Sequence, residues 1–347
     1  MKINLLNQKF SFKEIWKLRR VLLTVLLSPK KLINFIIINA SLKLKLTKPL
    51  GLPFLLMIEP TSICNLNCPM CPMSLRKTNR GEKGHMNFKI FRKVIDEVGD
   101  YIIAVPLWNY GEPLLNPDLP KMIAYAKKKR IITLVSTNGV FLEEPLIRQL
   151  INSGLDYLIL SFDGATKKTY EKYMGKGANY EKVISNLKNL VRIKKEMGKS
   201  NPFVNLQFIV MKENEHEIPL IKKLSKSLGV DKLSLKKFAF FGGNLDSFLP
   251  KEDKYLVTKH KDKSLIKTCD RVWTNSVISW DGTVVPCCVD HEFQYKLGNI
   301  STENFQKIWK NQKYISLRKQ ILKDINKIKM CQTCTNNDFT NDVFIEA

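Results

Sequence analysis

Between residues 51 and 243 the chain alternates short apolar runs with longer amphipathic stretches. Runs with strand character cover 54–58, 102–108, 131–136, 157–161, 203–211 and 232–238. The stretches of helical period between them include 88–98, 119–129, 144–152, 180–197 and 215–228. Strands that alternate with helices pair in parallel through right-handed crossovers. The pattern therefore predicts an α/β core built on a parallel sheet.

Beyond Gly242-Gly243 the composition of the sequence changes. Residues 245–267 form a polar, lysine-rich connector, and a compact cysteine-bearing region follows it. Within that region, residues 277–286 predict a β-hairpin, because Asp281-Gly282 separates two apolar runs. We therefore divide the chain into an amino-terminal extension over 1–50, a core over 51–245 and a small carboxyl-terminal domain over 246–347.

The amino-terminal extension is strongly basic and amphipathic. Residues 1–50 contain eleven lysines and arginines and a single acid, Glu14. Residues 11–46 predict two helices interrupted at Pro29, with apolar faces between basic residues. The uncharged stretches are shorter than the roughly 20 residues that a membrane span needs. Two alternatives stay open: residues 1–46 lie on an anionic membrane surface, or the helices pack on the enzyme body or on a partner chain.

Net charge and cysteine usage limit the class of protein. The formal net charge is +25, and eight cysteines occur without a secretory signal. Thiols in that context serve metals rather than disulfides, so we expect a cytoplasmic protein, with peripheral attachment to the inner membrane face as the variant. Nucleic acid is the disfavoured partner, because no recognition module accompanies the basic segment and aromatic residues are not interleaved with it.

The strongest chemical signal is a group of three cysteines in a loop that follows the first strand-like run. Cys64, Cys68 and Cys71 have the spacing Cys-x3-Cys-x2-Cys. Three thiolates hold a cuboidal 4Fe–4S cluster but leave one iron open to a small molecule, whereas ordinary ferredoxin-type clusters take four cysteines. A zinc site, which is closed by four ligands, and chance clustering are the alternatives.

This spacing and its surroundings resemble the radical S-adenosylmethionine (radical SAM) enzymes. The resemblance implies that the open iron chelates the amino and carboxylate groups of S-adenosylmethionine. It also implies reductive cleavage to a 5′-deoxyadenosyl radical, with an external one-electron donor of the ferredoxin or flavodoxin type. The implied fold is a partial (β/α)6 barrel related to the eight-stranded TIM barrel, with its functional residues at the carboxyl ends of the strands.

The resemblance also nominates contacts to S-adenosylmethionine. Met70 replaces the family's usual aromatic residue, and Tyr110 replaces the first glycine of its Gly-Gly-Glu-Pro segment. The positions carried over are Met70, Gly111, Glu112, Pro113, Ser136, Asn138, Ser161, Asp163 and Gln207. Core packing of Met70, ordinary turn chemistry and an edge position of Gln207 are the competing interpretations. Met174 stands where many relatives have a carboxylate-binding arginine, so Lys172 or Lys176 substitutes or that contact is absent.

A second group of cysteines lies in the carboxyl-terminal region. Gly282-x4-Cys287 followed by Cys331-x2-Cys334 resembles the SPASM/twitch extension of radical SAM enzymes. That resemblance implies a second, auxiliary 4Fe–4S cluster with four thiolate ligands: Cys269, Cys287, Cys331 and Cys334. Cys288 is the alternative to Cys287, and a zinc site suits four thiolates as well.

The resemblance implies a function at the level of chemistry and leaves the substrate open. Our first hypothesis is an oxidoreductase that carries out a net oxidation of a small or lipid-linked alcohol or sugar, assisted by the auxiliary cluster. The second is a peptide-modifying maturase that acts on ribosomal peptides or on a sulfatase. A radical SAM enzyme that modifies RNA is the third.

Overall fold

A computed structural model describes residues 27–75, 82–238, 248–256, 269–332, 334 and 344–346. The first of the two predicted amino-terminal helices lies outside these residues. So do Gly242-Gly243 and most of the predicted connector. The boundary at residue 245 therefore stays a prediction.

Six parallel strands form the core. They pair in chain order through β1 (Leu55–Ile58), β2 (Ala104–Pro106), β3 (Ile132–Thr137), β4 (Tyr157–Ser161), β5 (Phe203–Ile209) and β6 (Lys232–Lys236). Their residues are mostly buried, as expected for parallel strands covered on both faces. The prediction of a partial (β/α)6 barrel is confirmed.

Helices connect the strands. Along the chain they are α1 (Pro29–Lys43), α2 (Pro72–Leu75), α3 (Phe88–Val98), α4 (Leu119–Lys128), α5 (Glu144–Asn152), α6 (Lys167–Met174), α7 (Tyr180–Glu196) and α8 (Ile218–Leu228). Four further helices follow: α9 (Arg271–Thr274), α10 (Phe305–Trp309), α11 (Gln312–Asp324) and α12 (Lys329–Gln332). Polar side chains cap several helix starts; the side chain of Asn179, for example, accepts a hydrogen bond from the Lys182 N–H.

The carboxyl-terminal region extends the same sheet. β7 (Asn275–Ile278) pairs in parallel with β1, and β8 (Thr283–Val285) and β9 (Gly298–Asn299) follow as antiparallel strands. The predicted hairpin is thus present, and Gly282 adopts the positive φ of 84° in its turn. At the other edge, β10 (Phe344–Glu346) runs antiparallel to β6. The described strands therefore form one ten-stranded sheet.

Helix α1 closes the amino-terminal end of the barrel. Its buried Lys31 amine donates to the carbonyl oxygens of Gly99, at 3.1 Å, and Ile102, both just before β2. Asn34 exchanges two hydrogen bonds with the backbone of Leu52, just before β1, at 2.8 and 2.9 Å. For residues 29–43, packing on the enzyme body is therefore what the structure shows. In the described residues, no helix combines the length and the apolar character needed to cross a bilayer.

Candidate active site

The first three cysteines lie together in the loop between β1 and α2. The Cys71 N–H donates to the Cys68 carbonyl oxygen at 3.0 Å, and the Leu66 N–H points at the Cys64 sulfur at 3.4 Å. Burial raises the pKa of Cys64 to about 11, and it also raises the pKa of Cys68, with the charges of Cys71 and Cys64 adding to that shift. Three crowded thiols of this kind fit an iron–sulfur cluster, whose positive iron ions would stabilise the thiolates.

The described residues contain no site for a single metal ion. Among them, no three carboxylate, imidazole or thiol groups have the spacing of ligands to one ion. The thiols of Cys64 and Cys71 are nevertheless close enough to Cys68 for their charges to act on it.

Gly111 brings the predicted Gly-Glu-Pro segment directly against the cysteine loop. Its φ is +99°, and a Cβ atom on this residue would lie 2.2 Å from the Thr61 carbonyl oxygen. The neighbouring Glu112 N–H donates to the Ile63 carbonyl oxygen at 2.8 Å. A glycine is required here because the two backbones approach so closely.

Glu112 holds this end of the barrel together with its side chain. One carboxylate oxygen accepts from the Thr137 hydroxyl at 2.7 Å and the Leu114 N–H at 3.0 Å; the other accepts from the Asn138 N–H at 2.8 Å. Burial raises the pKa of Glu112 to about 6, and these hydrogen bonds limit the rise. Asn138 in turn donates to the Asn65 side chain in the cysteine loop at 3.0 Å. The predicted residues Glu112 and Asn138 thus link the ends of β2 and β3 to that loop.

Asp163 links the carboxyl ends of β4 and β5, as Glu112 links those of β2 and β3. Its carboxylate accepts from the Ile209 N–H at 2.7 Å, and its carbonyl oxygen accepts from Asn214 at 3.0 Å. Burial raises the pKa of Asp163 to about 7, opposed by the Ile209 N–H and by the positive charge of Lys236. Its side chain is therefore occupied in positioning strand ends, and a direct contact of Asp163 with S-adenosylmethionine stays a prediction.

Three predicted polar residues share the interior face of the barrel. Ser161 and Gln207 are register partners on β4 and β5, and Ser136 lies on the same face of β3 as Ile132 and Leu134. Those two residues belong to a buried apolar cluster against which Phe35 of α1 packs. Since alternate residues of a strand share a face, Ser136, Ser161 and Gln207 face the interior near the carboxyl ends of their strands.

The remaining predicted contacts have different surroundings. Met70 is half-buried against the hydrophobic core, and Met174 lies within that core. Pro113 begins the short 3-10 turn Pro113–Leu115. The Lys172 amine forms an exposed ion pair with Glu213 at 2.7 Å, so it points away from the barrel interior. Lys172 is therefore a poor substitute for the family's carboxylate-binding arginine.

Lys236 is the interior cation that the sequence analysis missed. It ends β6 on the same face as Ser234, whose hydroxyl donates to Asn205 on β5 at 2.9 Å. Burial lowers its pKa, while the charges of Asp163 and Cys288 raise it. The amine thus lies close enough to Asp163 and to Cys288 for their charges to act on it. The alternation Lys-Leu-Ser-Leu-Lys over β6 was the available signal, because a parallel strand is expected to be apolar on both faces.

Replacing Lys236 with methionine is expected to raise the KM for S-adenosylmethionine or for an anionic substrate by about ten-fold. Such a change corresponds to the loss of one charge-assisted contact of about 1.4 kcal/mol. Lys232→Met is the matched control, since Lys232 lies on the same face at the opposite end of β6. Steady-state kinetics of 5′-deoxyadenosine release would measure both variants. Equal KM values for the two variants would show that Lys236 binds no anion.

The second group of cysteines surrounds Arg271. Burial acts to lower the pKa of this guanidinium, but the charges of Cys288, Cys287, Cys334 and Cys269 raise it above its usual range. Burial also raises the pKa of Cys331 to about 12, with contributions from Cys269, Cys334 and Asp290. The tertiary structure thus brings together cysteines that are up to 65 positions apart, from 269 to 334, as a cluster requires.

Cys287 and Cys288 differ in their surroundings. Arg271 approaches the Cys288 sulfur at 3.6 Å. A hydrogen bond from Cys287 lowers the pKa of Cys288 to about 6; burial opposes this shift and Arg271 adds to it. Cys287 is buried, and its own pKa is raised. Cys287 stays the predicted ligand, with Cys288 as the alternative.

Tyr110 connects the two cysteine sites. Its hydroxyl donates to the Cys288 carbonyl oxygen at 2.7 Å and contacts His291. Its N–H donates to Glu59 at 3.0 Å, and Glu59 accepts from Ser279 at 3.2 Å. The side chain that replaces a family glycine therefore joins the barrel to the carboxyl-terminal region, a role that the local sequence did not reveal.

Two curated relatives resemble this chain in sequence. A tungsten-containing aldehyde ferredoxin oxidoreductase cofactor-modifying protein of Pyrococcus furiosus is 25% identical over 300 residues, which is 76% of this chain and 82% of that protein. A PqqA peptide cyclase of Gluconobacter oxydans is 28% identical over 208 residues, or 58% of this chain. In the second case the match spans 55% of the relative.

Among solved structures, SuiB of Streptococcus suis bound to its precursor peptide SuiA has the same fold. It superposes with a TM-score of 0.62 at 17% identity, over 88% of this chain and 74% of that chain. Family models match in two segments: the radical SAM superfamily over residues 58–225 and an iron–sulfur cluster-binding domain, SPASM, over residues 269–335. The first segment contains the cysteine loop with Cys64, Cys68 and Cys71, and the second contains the carboxyl-terminal cysteines. The chain therefore contains a radical SAM domain and a carboxyl-terminal SPASM iron–sulfur cluster-binding domain.

Proposed function

We propose that this radical SAM enzyme modifies a peptide. When bound, S-adenosylmethionine and the first 4Fe–4S cluster supply a 5′-deoxyadenosyl radical that removes a hydrogen atom from the substrate. The sequence analysis placed oxidation of a small or lipid-linked alcohol or sugar first and a peptide maturase second. The names of the relatives favour the second: one is a PqqA peptide cyclase, and SuiB was solved with a precursor peptide.

The observation that carries this proposal is the pairing of β10 with β6. Phe344–Glu346 of the chain's own tail lie antiparallel on β6, with Phe344 opposite Lys236 and Glu346 opposite Ser234. An exposed sheet edge binds extended peptides through main-chain hydrogen bonds, and side chains then give specificity. This edge of the barrel thus accepts an extended polypeptide.

The direction of that pairing supports delivery of a peptide to the active site. Lys236 is at the carboxyl end of β6, and its amine lies near Asp163 and Cys288. A peptide bound in the place of β10 would therefore extend past the carboxyl end of β6, where Lys236 lies. In this proposal β6 orients the peptide main chain, and Lys236 attracts a carboxylate of the peptide or of S-adenosylmethionine.

The proposal is tested with anaerobically reconstituted protein, S-adenosylmethionine and dithionite. One arm receives a pool of short unstructured peptides, and the other receives a pool of polyols and free sugars. We expect the peptides to raise the release of 5′-deoxyadenosine about ten-fold above the substrate-free rate. Mass spectrometry should then find peptides that have lost two hydrogen atoms.

Two variants sharpen this test. Cys64→Ala should release no 5′-deoxyadenosine with either pool. A chain truncated before Phe344 should show a lower KM for peptides at an unchanged kcat, because its own tail no longer occupies the β6 edge. Stimulation by the polyols or sugars and not by the peptides would contradict the proposal and restore oxidation of a small molecule as the first hypothesis.

A further inference from the structure

The outward face of α1 carries large apolar side chains that the proposed reaction does not use. Five of the seven large hydrophobic side chains exposed in the described part of the chain lie between residues 27 and 50. They are Leu27 (64% exposed), Ile33 (54%), Ile36 (58%), Leu44 (70%) and Leu50 (71%). Isolated exposed apolar residues are ordinary, whereas a contiguous group marks an interaction site.

On α1 these residues form a continuous stripe. With about 100° between successive residues, an arc of about 100° contains Ile33, Ile36, Ile37, Ala40 and Leu44. We call this arc the α1 stripe. The opposite face of the helix buries side chains that are mostly polar: Lys31, Asn34, Ile38 and Ser41. Phe35 and Leu42 also pack on the enzyme body, so the helix carries apolar side chains on both faces.

The buried polar contacts fix this orientation. Lys31 and Asn34 bind backbone groups just before β1 and β2, and the Ser41 hydroxyl accepts from the Leu50 N–H at 3.1 Å. Turning the helix to bury its stripe would leave these buried polar groups without partners, which is costly. The stripe therefore faces away from the barrel in the folded protein.

The charges around the stripe indicate what covers it. Residues 27–50 contain five lysines and no acid. Lys30 and Lys43 lie on the two borders of the stripe, Lys45 and Lys48 follow it, and all four are exposed. An apolar face bordered by lysines is typical of helices that lie in the interface of an anionic membrane. We propose that the α1 stripe docks this enzyme on an anionic lipid bilayer.

Docking in this way determines where the active site faces. The α1 helix covers the amino-terminal ends of β1 and β2, and the cysteine loop and the Gly-Glu-Pro segment lie at the carboxyl ends of the same strands. A bilayer against α1 thus leaves the active site open to the aqueous side. The substrate then arrives from solution, which disfavours the lipid-linked alcohol considered from the sequence.

Flotation of the full-length, cluster-loaded protein tests this proposal. The vesicles contain phosphatidylcholine alone or phosphatidylcholine with phosphatidylglycerol. We expect the protein to float with the anionic vesicles, and less so at high salt. The double variant Ile33→Ser/Ile36→Ser should reduce the partition coefficient about ten-fold. Leu220→Ser is the matched control, because Leu220 is exposed elsewhere on the surface, and it should float like the wild type.

Three other outcomes would overturn the proposal. Flotation of the double variant at the wild-type level, lost only on removal of residues 2–26, would assign binding to that segment. If the wild type were a dimer, the double variant a monomer, and neither floated with vesicles, the stripe would be a contact with a second copy of the chain. Equal binding to both vesicle types would show that the lysines do not select an anionic membrane. Unchanged iron content and circular dichroism of the double variant would show that it is folded.

Discussion

Replacing Gly111 with alanine is expected to reduce the release of 5′-deoxyadenosine by about two orders of magnitude or more. The alanine Cβ would lie 2.2 Å from the Thr61 carbonyl oxygen, and the φ of +99° is itself unfavourable for alanine. The cysteine loop or the Gly-Glu-Pro segment must then move, and a displacement of about 1 Å is enough for a loss of about 10²-fold. Anaerobic rate measurements, together with iron content, would quantify the effect.

Gly198→Ala is the matched control for this prediction. Gly198 also has a positive φ, of +62°, but a Cβ atom there would meet nothing within 4 Å. Its replacement should cost roughly 1–2 kcal/mol of stability through backbone strain and leave the reaction rate unchanged. If Gly111→Ala retained the wild-type rate, the close approach of the two backbones would have no functional role.

Replacing Cys287 with serine is expected to halve the iron content and to stop product formation. Two 4Fe–4S clusters hold about eight irons, so loss of the auxiliary cluster removes about four. Cleavage of S-adenosylmethionine should continue, because the first three cysteines lie in a separate loop. We propose in addition that the auxiliary cluster accepts an electron from the substrate. Iron analysis, release of 5′-deoxyadenosine and product mass spectrometry distinguish these effects.

Cys288→Ser provides the control for the neighbouring sulfur. We expect it to keep both clusters and to form product, since Cys287 is the predicted ligand. The reverse result, with iron lost from Cys288→Ser alone, would make Cys288 the ligand that Arg271 approaches. Product formation by an enzyme that has lost the auxiliary cluster would remove that cluster from the reaction.

The sequence predicted those features that depend on local spacing. The three cysteines from 64 to 71 are close together in any loop conformation, and the alternation of strands and helices follows from burial patterns within short windows. The hairpin around Asp281-Gly282 also depends on a local turn. For these reasons the barrel and the β7–β8 hairpin agree with the structure, and the first cysteine site stays a prediction.

Other parts of the candidate site depend on residues that are far apart in the chain. Glu112 reaches Asn138, Asp163 reaches Ile209, and Tyr110 reaches Cys288. A motif identifies such residues but not the partners that their side chains contact. The sequence analysis nominated Glu112 and Asp163 as contacts to S-adenosylmethionine, which stays a prediction. The structure adds that their carboxylates accept hydrogen bonds from neighbouring strand ends.

By itself, then, the sequence determined the parallel α/β core, the radical SAM cysteine motif and the excess of basic residues at the amino terminus. Tertiary structure alone decided that Lys236 faces the barrel interior, that β10 pairs with the β6 edge, and that α1 turns Ile33 and Ile36 outward. Each of these depends on which buried polar groups find partners across long sequence separations, and a pattern read along the chain does not contain that information.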